Sequence, residues 1–184
     1  NITYTPQTAV DRQIIGSYNP DFYGGWNNTF SYRGLSLEAL FQYQYGNTAL
    51  TQTNYALELS GAYGYNALES QLYNAWSAPG EIATVPRPYW GGAEPGSTAI
   101  TTFSSRWVQD ASYIRLKQVS LSYNLPANWL SSIGIQGLQA YVQAMNLWTI
   151  TEYTGEDPEN TSFTGNLNVY PHPRTYTVGA NFTF

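Results

Sequence analysis

Polar and apolar residues alternate at period two in five stretches of this chain. That period is the mark of a β-strand with two unlike faces. In Arg174 to Phe184, Tyr176, Val178, Ala180, Phe182 and Phe184 fall on one side, and Thr175, Thr177, Gly179, Asn181 and Thr183 on the other. In Leu138 to Leu147, Leu138, Ala140, Val142 and Ala144 oppose Gln139, Tyr141, Gln143 and Met145. From Tyr113 to Tyr123, Val119, Leu121 and Tyr123 oppose Gln118, Ser120 and Ser122. In Leu35 to Tyr45, Leu37, Ala39, Phe41, Tyr43 and Tyr45 oppose Ser36, Glu38, Gln42 and Gln44, with Leu40 the one exception. In Phe22 to Arg33, Trp26, Phe30 and Tyr32 oppose Asn27, Thr29, Ser31 and Arg33.

Each stretch is about 10–12 residues long, near the roughly 9–11 that a tilted strand needs to cross a bilayer and well above the usual 5–6 of soluble sheets. The polar sides carry Asn, Gln, Ser and Thr, which suit a wet lumen, and aromatics gather toward the strand ends as an interface girdle requires. The connections alternate in length. Arg33-Gly34 is a tight turn, 46–105 a long loop, 124–136 a moderate turn and 148–173 a second long loop. Bacterial barrels have short periplasmic turns and long extracellular loops. Counting back from a periplasmic end at Phe184, every long loop falls outside and every short turn inside. The pattern therefore predicts an all-β chain, part of a transmembrane antiparallel β-barrel. Five strands cannot close a barrel, for which about eight is the minimum. The remaining strands are expected upstream of Asn1 or on another chain. Within the first long loop, Leu68, Leu72, Ala75 and Trp76 recur at helical spacing, and Pro79-Gly80 ends the helix this predicts.

Composition strengthens that reading. Only 10% of residues are charged while 16% are aromatic, yet the mean hydropathy is -0.35. A soluble domain covers its surface with charge. This chain is polar without charge, as expected where much of the surface never meets bulk water. The net charge of -5 argues against a nucleic-acid partner. The absence of cysteine excludes disulfides and thiolate metal sites. No apolar run approaches the roughly 18 residues of a membrane helix. The opening at Asn1, with no leader, reads as part of a longer exported chain.

Candidate chemistry is sparse. No nucleophile sits with a base, and there is no dedicated carboxylate pair or phosphate-cradling glycine loop, so no catalytic, cofactor or metal residues are assigned and the chain reads as a non-enzyme. Glu156, Asp157 and Glu159 carry enough carboxylates for Ca²⁺, but Pro158 interrupts them and no Asp-x-Asp-x-Asp-Gly loop is present. They read as a solvated acidic loop. His172, the only histidine, lies between two prolines and has no sequence partner for a metal site or a triad. Asp110, Arg115 and Lys117 read as an ion network near the outer end of one strand.

Four ordered stretches carry a family resemblance. They are Asp11-Arg-Gln-Ile-Ile-Gly16 with Asn19-Pro-Asp-Phe22; Trp107-Val-Gln-Asp-Ala-Ser-Tyr-Ile-Arg-Leu-Lys117 with Leu121-Ser-Tyr-Asn-Leu-Pro126; Asn146-Leu147 with Gly155-Glu-Asp-Pro-Glu159; and Pro171-His-Pro-Arg-Thr-Tyr176 with Phe184. Together they resemble the C-terminal region of SusC-like TonB-dependent outer-membrane transporters of Bacteroidota. Trp107, Gln109 and Ala111 stand where that family more often has Phe, Glu and Gly.

The resemblance implies a plugged barrel of roughly 22 strands, of which these would be the last five. It implies TonB-dependent import of a glycan, oligosaccharide or peptide, working with a SusD-like surface lipoprotein over the mouth. It also implies the TonB complex, engaged through regions outside this chain, the barrel-assembly machinery and outer-membrane lipid as partners. Phe184, with Phe182 and Tyr176 at alternate positions, then looks like the barrel-assembly signal, an extended strand able to add to an open sheet edge. Tyr89 and Trp90 offer flat faces for a sugar ring, and with Arg87 they form a candidate substrate or lid contact. The plainer role for them is packing of the loop against plug or lid. Two other classes compete: a passive porin or secretion-associated barrel, and a soluble glycan-binding β-sandwich, which would need shorter strands and more charge.

Overall fold

A computed structural model describes residues 12–58, 66–89, 104–130, 134–162 and 169–184. Five long strands, β1 (Phe22–Tyr32), β2 (Leu35–Tyr45), β5 (Tyr113–Asn124), β6 (Gly137–Thr151) and β7 (Thr175–Thr183), form one sheet in the order β1-β2-β5-β6-β7. Every neighbouring pair is antiparallel. A short pair, β3 (Thr48–Leu50) and β4 (Val108–Asp110), forms a second sheet. Three short helices lie in the connections: α1 (Gln52–Leu57), α2 (Glu69–Asn74) and α3 (Ala127–Leu130).

The long sheet has two unlike faces because the registers keep the period-two pattern aligned from strand to strand. Phe30 pairs with Leu37, Leu37 with Leu121, Leu121 with Val142 and Val142 with Val178. All five of these side chains remain exposed, Val178 at 81%. An apolar face open to this degree marks a surface that meets a membrane or a partner. Along it, aliphatic residues hold the middle, and aromatics gather at either end. Phe22 stacks on Tyr45 at 5.0 Å and Trp26 lies against Phe41 at one end, while Phe182 stacks on Phe184 at 6.4 Å at the other. The opposite face is knitted by neutral polar pairs: Ser31 with Ser36 at 2.8 Å, and Asn181 donating to Gln139 at 3.2 Å. Leu40, the apolar exception on that face, pairs with Gln118.

Arg33 and Gly34 both have positive φ, 47° and 86°, as a two-residue hairpin turn requires. A side chain on Gly34 would also meet the Asn124 carbonyl at 2.8 Å. The strand expected over 138–147 runs four residues further, to Thr151, so the second long connection starts at Glu152. Its extension pairs with the start of β5: Trp148 lies opposite Leu116 and Thr151 opposite Tyr113. The helix expected through Trp76 stops at Asn74. Ala75 instead bridges Val85 in parallel, and Trp76 N–H donates to the Val85 carbonyl at 2.8 Å. Backbone pairing with a distant segment has won over the helical spacing.

The packed core lies at the long-loop end of the sheet. There β3, β4, α1 and the start of the 152–162 segment bury Ala49, Ala111 and Tyr153 in one cluster, and Tyr55 with Trp107 in another. Burial, with Glu156 and Asp157 nearby, pushes the Tyr153 phenol up to about 12.

Candidate functional site

The centre of this loop assembly is an ion cluster on the polar face of β5. Arg115 and Lys117 share that face by the strand period. Against β2, a register shift leaves Lys117 as the extra residue between Leu116 and Gln118 and resets the parity, so that Gln118 faces the polar side as well. Without that bulge, either the two cations or Gln118, Ser120 and Ser122 would lie among the apolar side chains.

Arg115 is 4% exposed, and each of its three guanidinium nitrogens donates a hydrogen bond. Nε donates to Thr149 Oγ1 at 2.9 Å, Nη1 to Glu159 at 2.7 Å and Nη2 to Asp157 Oδ1 at 2.5 Å. Lys117 Nζ reaches both oxygens of Glu159, at 2.7 and 2.9 Å. Gln42 donates to the Tyr113 hydroxyl at 2.9 Å and to Glu159 at 3.3 Å. Asp157 is also 4% exposed. Its Oδ1 accepts from Glu159 N–H, which caps the turn Pro158–Asn160, and its Oδ2 accepts from His172 N–H at 2.9 Å. The His172 ring lies 3.1 Å from the same oxygen. Burial opposes ionisation of Asp157, but the Arg115 guanidinium and the His172 and Glu159 amides outweigh it and hold the carboxyl down to about 2.

The acidic loop is therefore not uniformly solvated. Glu156 is exposed, but Asp157 is a buried anion and Glu159 is clamped by both cations. His172 does have partners, supplied by the chain folding back on itself. Asp110 takes no part in this network, and its Oδ1 caps the nearby Ser112 N–H at 2.7 Å. The ligand-type atoms of Asp157, Glu159 and His172 lie within 4.8 Å of one another. Arg115 and Lys117 already balance the two carboxylates, so a metal ion would have to displace a protein cation. The arrangement is suited to holding, not to chemistry. It clamps both ends of the β6–β7 connection to one strand of the sheet.

Of the contact residues expected in the first long loop, Arg87 is exposed, and its guanidinium lies over the Tyr89 ring at 5.7 Å. Trp90 lies outside the described residues. Tyr176, Phe182 and Phe184 share the apolar face of β7, and Tyr176 and Phe184 are 70% and 81% exposed.

No family model matches the chain. Curated relatives do. TonB-dependent receptors P3 and P26 of Formosa agariphila are 37% and 32% identical to it over 189 and 188 residues. These alignments cover 96% and 95% of this chain and 18% of each relative, so the chain spans under a fifth of their length. Among solved structures, the RagAB peptide importer in its open-open state matches at a TM-score of 0.75 and 32% identity, over 94% of this chain and 18% of that one. Its closed-closed state matches at 0.78 and 30%.

Along nearly its whole length the chain is similar to part of TonB-dependent receptors.

Receptors of this family are outer-membrane β-barrels, and the sheet of this chain is a part of such a barrel wall. The exposed apolar face is then its lipid side and the polar face its lumen side, which puts the Arg115 cluster inside the wall. No helix among the described residues is long and apolar enough to cross a membrane, and a barrel crosses with strands. The matched proteins are receptors and importers, not enzymes. The sequence could have pointed to the cluster through one signal, the offset between Arg115-Leu116-Lys117 and the alternation that resumes at Gln118.

Proposed function

We propose that this protein takes part in TonB-dependent active import across the outer membrane. The likeness to an importer along nearly the whole chain, on a sheet with one lipid-type and one lumen-type face, carries this reading. The five strands would close a barrel of roughly 22 with strands that this chain does not contain. The two long connections would lie on the extracellular side, with a SusD-like lipoprotein over them. The Arg115 cluster would keep the outer loop in a fixed pose under that lid. The TonB complex would act through regions outside this chain. The cargo would be an oligomer, glycan or peptide. That the solved neighbours are peptide importers favours peptide.

The test is uptake of a labelled peptide mixture and of a labelled oligosaccharide by cells with and without the gene. Uptake of one class that needs the gene and stops with a protonophore is the expected result. Gene-dependent uptake that ignores the protonophore would mean a passive pore. Phe184 would serve as the barrel-assembly signal, so Phe184→Lys should lower the amount of folded receptor in the outer membrane, as read by heat-dependent gel mobility. Normal amounts would remove Phe184 from that role.

A further inference from the structure

The lipid side of the sheet is not flat at its long-loop end. A groove of about 320 Å³ opens there, where β1, β2, β5 and β6 reach the loops. The register sets Tyr43 opposite Ile114 and Ile114 opposite Ile150, all with lipid-side parity. The two isoleucines are 47% and 48% exposed and make the floor. Phe22, Tyr43 and Tyr45 make an aromatic wall. Phe22 stacks on Tyr45 at 5.0 Å and meets Tyr43 edge-on at 6.3 Å. Gly24, opposite Tyr43, gives this wall its position. A Cβ there would sit 2.7 Å from the Tyr43 hydroxyl, so the phenol leans over β1 and leaves the space above Ile114 open.

The outer rim is polar, and its groups are already paired. Ser112 Oγ accepts from Gly46 N–H at 3.0 Å, and the Ser112 carbonyl accepts from the Thr151 hydroxyl at 2.8 Å. These two bonds tie the ends of β2, β5 and β6 together across the top of the groove. Glu152 also lines the rim and is exposed. It follows Ile150 by two positions and so continues the lipid-side parity. It makes no ion pair among the described residues.

We propose that this groove holds one acyl chain of an outer-leaflet lipid whose head group carries an amine. The groove is continuous with the lipid side, and its floor and wall are apolar. A chain in a bilayer gains little by apolar transfer alone, because its lipid neighbours are as apolar as the wall. It gains close contact with rings that are already packed against one another, in a site whose rim is fixed before the lipid arrives. Charge selects the head group. Glu152 places one negative charge at the rim, which attracts an ammonium and repels a phosphate that has none beside it. The proposal rests on the barrel reading above, with the long connections outside, and not on the nature of the cargo.

The experiment is native mass spectrometry of the full-length receptor purified with its native outer-membrane partners. The probes are phosphatidylethanolamine and phosphatidylglycerol with identical acyl chains. The native receptor should retain one phosphatidylethanolamine, about fivefold in preference to phosphatidylglycerol, as one exposed charge pair allows. Glu152→Lys, at an exposed position, should reverse that preference. Ile150→Trp puts a ring where the chain lies and should lower retention about tenfold. Val142→Trp, on the lipid side away from the groove, should leave retention unchanged. Equal retention of the two lipids by the native receptor, or a preference that ignores Glu152→Lys, would overturn the proposal. So would equal losses from Ile150→Trp and Val142→Trp, which would mean bulk boundary lipid only. The import reading fails by a different observation, gene-dependent uptake that survives a protonophore. Protonophore-sensitive uptake beside any of these negative results would sink the groove and leave that reading standing.

Discussion

Arg115→Met tests whether the ion cluster fixes the β6–β7 connection. The guanidinium makes three side-chain hydrogen bonds, to Thr149, Glu159 and Asp157, from a site 4% exposed. Met keeps most of the volume and removes the charge. Asp157, itself 4% exposed, is then left with the backbone donors of Glu159 and His172 and with the His172 ring at 3.1 Å. Taking one partner from a buried pair costs about 3–5 kcal/mol. Asp157 can shed part of that by binding a proton, so about 3 kcal/mol is the figure expected, or roughly a hundredfold in the opening equilibrium. Amide hydrogen exchange of the full-length receptor in detergent reads it directly. Exchange at Glu159 and Asn160 should rise about a hundredfold while the amides of β5 and β6 keep their protection. Adding Asp157→Asn, which removes the stranded anion, should recover a large part of the loss. Unchanged exchange in Arg115→Met, or a double variant no better than the single one, would refute the clamp.

Three further outcomes follow from the geometry. The Asp157 carboxyl titrates at about 2 instead of 3.8, so its contribution, about 2 kcal/mol, is complete above about pH 4 and disappears as pH falls through 2; exchange at Asn160, corrected for intrinsic rates, should show this step, and Asp157→Asn should abolish it. Tyr141 lies across the ladder from Gly179, where an added Cβ would sit 2.4 Å from its ring, so Gly179→Val should cost about 1–3 kcal/mol in urea unfolding and Tyr141→Ser should suppress the defect. Val178→Arg on the lipid side should cost about 2–4 kcal/mol and reduce the folded fraction on heat-shift gels, whereas Thr177→Arg on the lumen side should be tolerated.

The two-faced strands, the Arg33-Gly34 turn and the barrel class were legible in the residues, because they rest on local physics. Side-chain direction alternates at every residue of a strand, so Tyr176 to Phe184 declares its lipid side without reference to any neighbour. A two-residue hairpin turn needs positive φ, and glycine advertises where that is cheap. Interactions across long separations were not legible. The helical spacing from Leu68 to Trp76 was real, but Ala75 was claimed by Val85 ten residues on. Strand β6 ran past Leu147 because β5 offered Tyr113 to Leu116 as partners, which period two within β6 alone could not reveal. The acidic loop looked solvated because Arg115 lies 42 residues from Asp157 in the chain. His172 looked solitary for the same reason. A buried charge is stable only with its counter-charge in place, and pairing depends on the sheet register and on the loop's return path. The sequence by itself determined which face of each strand meets lipid. The tertiary structure alone decided that Arg115, Lys117, Asp157, Glu159 and His172 form one site, because only folding brings their charges within hydrogen-bond reach.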